Sequence, residues 1–342
     1  MKKNVLLVDS ICPSDWNFLR GLQTGSREEW EIVAKDSCRY SGSISANIRR
    51  WFIFFFFPLR IVLKRNCYHK ILAWQQFYGL NFAFWMRLLG LRKRQKLIIM
   101  TFIYKKKKGF VGRIYHRYMA FIVKSHYVDK FICFSKDECG YYSNLFNTPI
   151  ERFKYVPLGI DYFKTDMCQC VSDKYVFSTG RSNRDYDFLI NSFLDSDYKL
   201  YIACGDLKQL DDKYNNIVID TKCYRNDMLK KMAGCYCVII SVRDTKVSAG
   251  QLVAIQAMQL GKPVIATASD GLKDYVEDGV TGILINKNTK DLMNALDRLY
   301  SDKNYYNFLS TNSKKVFEEK YTLEKLGQNV GEICNSVKGV IL

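Results

Sequence analysis

The stretch 248–282, SAGQLVAIQAMQLGKPVIATASDGLKDYVEDGVTG, holds the densest set of residues able to do chemistry. Ser248, Ala249 and Gly250 precede a helical run that the pattern carries to about Leu260, with Gly261 as its closing residue and PVIAT as a buried strand after it. A glycine at the helix start lets the backbone come close to a ligand, and the first-turn N–H groups have no partner within the helix. Such a start is an anion site suited to a phosphate. Asp270-Gly271 and Asp278-Gly279 read as turns.

Other chemistry-bearing residues lie near the amino terminus. Asp9 and Asp15 are the acids of the loop after the first strand. Asp15 could hold a ligand hydroxyl; as a structural residue it would cap the helix that begins at Trp16. Gln75 and Gln76 follow the run KILAW and could hydrogen-bond the hydroxyls of a ligand, or else start a solvated helix. His69, His116 and His126 have no metal-ligand spacing. The twelve cysteines include no CxxC pair, and the two CxC pairs, 168/170 and 235/237, are too dispersed for zinc. They read as reduced thiols, several of them buried in strand-like runs. No metal site is expected.

Strands must position these residues. NVLLV (4–8), EIVA (31–34), KILAW (70–74), LIIMTFI (97–103) and KFICFS (130–135) alternate with helix-length segments, and 152–160 carries a last extended element. The alternation restarts with YVFSTG (175–180), YKLYIACG (198–205), NNIVIDT (215–221), CYCVIIS (235–241), GKPVIAT (261–267) and GILIN (282–286). A helix is expected over 290–302. Repeating βα units imply parallel sheets with right-handed crossovers. Two such halves give two doubly wound domains facing each other across a cleft, with ligands at the carboxyl ends of the strands.

The 248–282 block resembles the donor half of GT-B glycosyltransferases, most closely glycosyltransferase family 4, through AMQLGKPVIAT…DG…DYVEDGVTGILI. The order of elements extends the resemblance over nearly the whole chain. Where that family has two Glu residues separated by seven positions, this chain has Ser248 and Gln256. Both can hydrogen-bond hydroxyls, and neither carries charge. The resemblance implies that Ser248, Ala249, Gly250, Gln251 and Gln256 bind the donor. It also assigns Arg181 and Arg184, in GRSNRDYDFLI, to the donor diphosphate, a role suited to the bidentate guanidinium fork. Thr221 and Cys223 would border the nucleotide base, or serve structure alone. In the first half the family's Gly-rich turn and its later His are absent, so no catalytic base carries over. By position, Asp15 is the catalytic candidate, and Gln75 and Gln76 are the acceptor-side candidates.

Charge separates the halves. Residues 1–160 carry 28 Lys and Arg against 10 Asp and Glu, whereas residues 161–342 carry 24 of each. Residues 37–128 contain 19 Lys and Arg and no acid at all, which implies an anionic partner. RRWFIFFFFPLRIVLKR (49–65) and KKKKGFVGRIYHRYMAFIVK (105–124) pair basic residues with aromatics. They suit either the core or an anionic membrane interface. No run is long enough to span a bilayer, and MKKNVLLVDS lacks the pattern of a signal peptide. A nucleic-acid partner would suit the same composition, but no helix-turn-helix, zinc-finger or RNA-recognition signature accompanies it, so none is expected.

The combined expectation is a GT-B enzyme of the cytoplasm, peripheral at the inner face of the membrane. Residues 1–160 would serve acceptor and membrane, 161–320 the nucleotide-sugar donor, and 321–342 would form a helix crossing back to the first domain. The resemblance implies a retaining hexosyl transfer from a nucleotide-diphosphate sugar to a saccharide or lipid-linked saccharide, as in bacterial-type surface polysaccharide synthesis. Neither metal nor cofactor is required. The loss of the Glu pair also suits a catalytically silent GT-B subunit with an assembly or regulatory role.

Overall fold

The computed structural model describes residues 2–13, 15–37, 43–163, 174–207 and 215–337. The Cys168/Cys170 pair lies outside them. The chain divides into two compact units, one formed by Met1–Val156 with Glu324–Leu342 and the other by Pro157–Leu323.

The first unit carries β1 (Lys3–Val8), α1 (Asn17–Ser26), β2 (Trp30–Ala34), α2 (Ile44–Leu63), β3 (Tyr68–Ala73), α3 (Gln76–Leu88), β4 (Lys96–Ile99), α4 (Gly109–Val123), β5 (Lys130–Cys133), α5 (Lys136–Phe146) and β6 (Phe153–Tyr155). Its six strands are all parallel, in the order β2-β1-β3-β4-β5-β6. Parallel strands covered on both faces need apolar side chains on both, which is why VLLV, KILA and KLII are runs rather than alternations. Val5, Leu7, Ile71, Leu97 and Ile99 fill one side with Phe82 and Met86 of α3. The expected strand 97–103 ends at Ile99, because Thr101 takes a left-handed φ of 53° and turns the chain away. The expected extended element 152–160 shrinks to β6 ahead of Pro157.

The segment 49–65 lies largely within one 20-residue amphipathic helix, α2. Phe54, Pro58, Ile61 and Val62 face the core, while Trp51 and Phe52 are each 59% exposed. Helix α4 likewise buries Met119, Ile122 and Val123 and leaves Phe110 69% exposed. Among the described residues no helix is long and apolar enough to cross a membrane.

The last helix, α12 (Leu323–Ser336), lies against α1. The approach is backbone to backbone. A Cβ at Gly21 would fall 2.0 Å from the Glu324 carbonyl oxygen, one at Gly25 2.1 Å from that of Gln328, and one at Gly327 2.3 Å from that of Phe18. Glycines spaced by four on both helices make this crossing possible, and Arg20 seals its edge with a two-point contact to Glu324 at 2.8 and 3.1 Å.

The second unit carries β7 (Tyr175–Thr179), α6 (Tyr186–Phe193), β8 (Lys199–Ala203), β9 (Ile217–Asp220), α7 (Arg225–Gly234), β10 (Cys237–Ile240), α8 (Gln251–Gln259), β11 (Val264–Thr267), α9 (Asp270–Lys273), β12 (Gly282–Ile285), α10 (Thr289–Ser301) and α11 (Lys303–Lys320). Its sheet is parallel, in the order β12-β11-β10-β7-β8-β9. Alternate residues of β10 serve the two faces: Val238 and Ile240 one core, Cys237 and Ile239 the other. Asp270-Gly271 starts the short helix α9 rather than forming a free turn, because Leu272 and Lys273 donate back to the Ser269 carbonyl.

Candidate functional site

In an open parallel sheet, ligands bind where neighbouring strands send their connections to opposite sides. In the second unit that point lies between β7 and β10, with β8 and β9 to one side and β11 and β12 to the other. The loops that leave it are 180–185 and 241–250, and these hold the residues singled out from the sequence.

The two loops are fastened together. Arg184 and Val242 form an antiparallel bridge. The Asn183 side chain donates to the Asp244 carbonyl at 2.8 Å and accepts from its N–H at 3.0 Å, and Arg243 N donates to the Asn183 carbonyl at 3.1 Å. Arg243 also pairs with Asp187 at 2.8 Å. Asp185 caps α6 through the Phe188 N–H at 3.2 Å and accepts from Lys287 Nζ at 3.0 Å; Lys287 donates as well to the Arg243 carbonyl. Burial of Asp185 pushes its carboxyl up, but the Lys287 and Phe188 hydrogen bonds outweigh this and hold it below the ordinary aspartate value.

Within this frame the two arginines differ. Arg184 is half-buried, and its guanidinium is used on the loop itself, with Nε donating to the Thr179 carbonyl and Nη1 to that of Ser182, each at 3.0 Å. Its Nη2 lies 2.6 Å from where a Cβ on Gly180 would stand. Burial lowers its pKa. Arg184 thus braces the loop under Gly180, a use the sequence did not disclose. Arg181 is exposed and makes no hydrogen bond or ion pair among the described residues.

Helix α8 leaves the second loop. Gly250 is its N-cap residue, with φ of 102°. A Cβ there would meet Ile240 Cγ2 at 2.8 Å and Leu272 Cδ2 at 3.0 Å, so the glycine is required by the fold, beyond any close approach to a ligand. Gln251 begins the helix and its side-chain amide donates to Ser248 Oγ. Ala249 is buried, and Gln256 is half-buried a turn further along. Ser248, Ala249, Gly250 and Gln251 therefore gather at the helix start, and Gln256 does not belong to that cluster. Gly261 closes α8 as expected, with its N–H on the Met258 carbonyl and that of Lys262 on Ala257.

Two further groups stand at these strand ends. Ser241 follows β10 and Ser269 follows β11; both are buried, and neither hydroxyl has a hydrogen-bond partner among the described residues. Sequence reasoning missed them, since a serine after a strand carries no signal of its own. Cys223, expected near a base, is buried in the apolar core, and the Thr221 carbonyl accepts from Tyr224.

In the first unit the corresponding point lies between β1 and β3. Asp9, at the end of β1, is buried there, and its Oδ2 accepts from Gln75 Nε2 at 2.9 Å and Ser37 Oγ at 3.2 Å. Gln75 caps α3 through the Phe77 N–H, and Gln76 Oε1 accepts from Ile103 N at 3.1 Å. Both glutamines are thus tied to protein partners rather than solvated. Asp15 is exposed, and the N-cap of α1 is Trp16, so Asp15 does not cap that helix. Trp16 and Phe18 each meet Trp74 edge-on and each other at a tilt beside this strand end, with centroids 4.7–5.1 Å apart.

Two parallel Rossmann-like units, the second with its loops joined about a glycine-capped helix start, define a GT-B fold. The UDP complex of HepE from Anabaena superposes with a TM-score of 0.70 at 15% identity, covering 98% of this chain and 100% of that one. Residues 174–302 match the family Glycosyl transferases group 1, and that stretch is a domain of this family. The alpha-1,3/1,6-mannosyltransferase ALG2 of Dictyostelium discoideum is 32% identical over 86 residues, 25% of this chain and 20% of its own. A lipopolysaccharide 1,2-N-acetylglucosaminetransferase of Salmonella typhimurium is 29% identical over 83 residues, 24% of this chain and 22% of its own. The matches thus span about a fifth of each of these two relatives.

Proposed function

We propose that this chain transfers a hexosyl group from a nucleotide-diphosphate sugar to a saccharide or lipid-linked saccharide, in the manner of family 4, with retention and as a step of surface polysaccharide synthesis. The observation that carries the reading is the group 1 match over residues 174–302, which contains both loops of the second unit's switch point. The named activities of the mannosyl- and N-acetylglucosaminyl-transferases lend it support.

In this reading the diphosphate lies at the amino end of α8. The unpaired N–H groups and the helix dipole offset its charge there. Arg181 supplies the mobile cation, Arg184 holds the loop in shape, and Ser248, Gln251 and Gln256 offer neutral hydrogen bonds to hydroxyls. The bond from the anomeric carbon to the diphosphate breaks, the nucleoside diphosphate leaves with the electron pair, the acceptor hydroxyl oxygen bonds to that carbon on the same face, and its proton passes to the departing phosphate oxygen. These groups stabilise charge where it develops, so no metal is assigned. The exposed faces of α2 and α4, with Trp51, Phe52 and Phe110 beside basic residues, suit contact with an anionic membrane from the inner side of the cell.

The test is a panel of nucleotide sugars, read by thermal shift and then by product formation with lipid extracts as acceptor. The correct donor at 100 times its Kd should add about 2.7 kcal/mol of stability. Stabilisation by a nucleotide sugar with no turnover on any acceptor favours the silent-subunit reading. Stabilisation by none of them overturns the proposal.

A further inference from the structure

Away from the strand ends just described, the first unit has a pocket of about 330 Å³ between the start of α2 and the loop joining β4 to α4. Its cations are Arg50 from α2 and Lys105 and Lys107 from the loop, and its aromatic wall includes Trp51, Phe54 and Phe77. We propose that this pocket binds a phosphate group borne by an amphiphile, the phosphate that links a saccharide acceptor to its lipid.

Charge is the first argument. Residues 37–128, which supply the whole lining, contain no Asp or Glu. Neither Lys105 nor Lys107 makes an ion pair among the described residues. Elsewhere in the unit acids meet cations directly: Lys70 with Glu28 at 2.6 Å, and Lys93 with Asp129 at 2.7 Å. Among the described residues the fold thus supplies counter-ions to Lys70 and Lys93 and none to Lys105 or Lys107, while Arg50 of the same lining donates its Nε to the Ser37 carbonyl at 3.3 Å. Gathering like charges at one concavity is unfavourable unless an anion joins them. A phosphate that joins a sugar to a lipid is a diester, whose single negative charge is shared by two terminal oxygens, and these can accept from two separate cationic donors.

The second argument is shape. Phe54 stacks on Phe77 with centroids 5.3 Å apart, Trp51 lies 6.1 Å from Phe77, and the Lys107 ammonium sits 4.8 Å from the Tyr115 ring centre. The result is an apolar wall beside a cationic rim. The volume is at the small end for ligand sites, enough for a head group but not an extended glycan. From Trp51 the wall continues onto the exposed ridge of Ile48, Phe52 and Phe56 along α2, where an alkyl tail would lie. Calling the ligand an acceptor rests on the glycosyltransferase reading; the phosphate pocket does not.

The experiment titrates the full chain with decyl phosphate below its micelle concentration, with decanol and inorganic phosphate as controls. It is repeated with the double variant Lys105→Gln/Lys107→Gln, and each protein is also sedimented with phosphatidylglycerol and phosphatidylcholine vesicles. Both lysines are exposed, so the variant should fold. Decyl phosphate should bind more tightly than either control, and the double variant should lose about tenfold or more in that affinity, as for removal of charge-assisted contacts. Its nucleotide-sugar affinity should not change. Equal affinity for decanol, or wild-type decyl phosphate affinity in the variant, overturns the proposal. Loss of vesicle binding alone also overturns it, because the lysines would then serve bilayer head groups rather than a pocket. Decyl phosphate binding in a chain that takes no nucleotide sugar would keep the pocket and remove the donor reading.

Discussion

The two units close the same kind of sheet and use its switch point in opposite ways. In the first, the strand ends are filled by the protein's own side chains: Asp9 is taken by Gln75 and Ser37, and Trp16, Phe18 and Trp74 pack alongside. In the second, the loops are tied to each other but leave groups over: an exposed Arg181, the hydroxyls of Ser241 and Ser269, and the start of α8. Paired polar groups brace the first strand end, whereas unpartnered polar groups make the second the better candidate for a ligand. Charge is divided in the reverse sense, with the excess of cations on the first unit and near balance on the second. In the proposed reading the second unit would hold its anion by geometry, with few charges well placed, and the first by an accumulation of charge over a broad face.

Substitutions can break this contrast. The largest effect is expected where backbones touch. Gly25→Val would drive a side chain into the Gln328 carbonyl, and should destabilise the first unit by about 3 kcal/mol or more, visible as a lower midpoint in urea unfolding. Gly250→Val strains φ and collides with Ile240 and Leu272, at a cost of about 2–4 kcal/mol, and should abolish nucleotide binding with it. A Gly250→Val protein of normal stability would show that the α8 start tolerates a side chain, and the joint and the ligand site would then be less distinct than drawn here. Arg184→Ala should lower stability and donor affinity together, since the guanidinium supports the loop through two carbonyls, whereas Arg181→Ala should leave thermal stability within about 0.5 kcal/mol.

The smallest effect is in pH. Asp185 has a folded pKa below its unfolded value of about 3.9. Its contribution is complete above that unfolded value and is lost as pH falls through the lower folded one. Asp185→Asn should flatten this part of the acid unfolding curve while leaving the curve above about pH 6 parallel to wild type.

Much of this was legible in the sequence, and unevenly. Each expected strand exists, because a doubly covered parallel strand must be a short apolar run. Ends moved where one residue's backbone decided, as Thr101 did for β4. The second unit's loops stood out because a glycine opens one helix run and two arginines follow a strand within a few positions. For Arg184 the spacing fits a ligand contact, and three dimensions add that its guanidinium also donates to the Thr179 and Ser182 carbonyls. The first unit's chemistry was harder to see. Asp9 and Gln75 meet across 66 positions, and the pocket joins Arg50 to Lys105 and Lys107 across three elements. The glycines at 21, 25, 327 and 331 carry a contact no local pattern announces.

The central claim is that the second unit's switch point holds a nucleoside diphosphate. Calorimetric titration of the full chain and of Arg181→Ala with a set of nucleoside diphosphates tests it most directly. The account predicts that one of them binds wild type and loses about 1.5–3 kcal/mol in Arg181→Ala, the worth of a charge-assisted contact. Binding of none of them, or equal binding by both proteins, would contradict it.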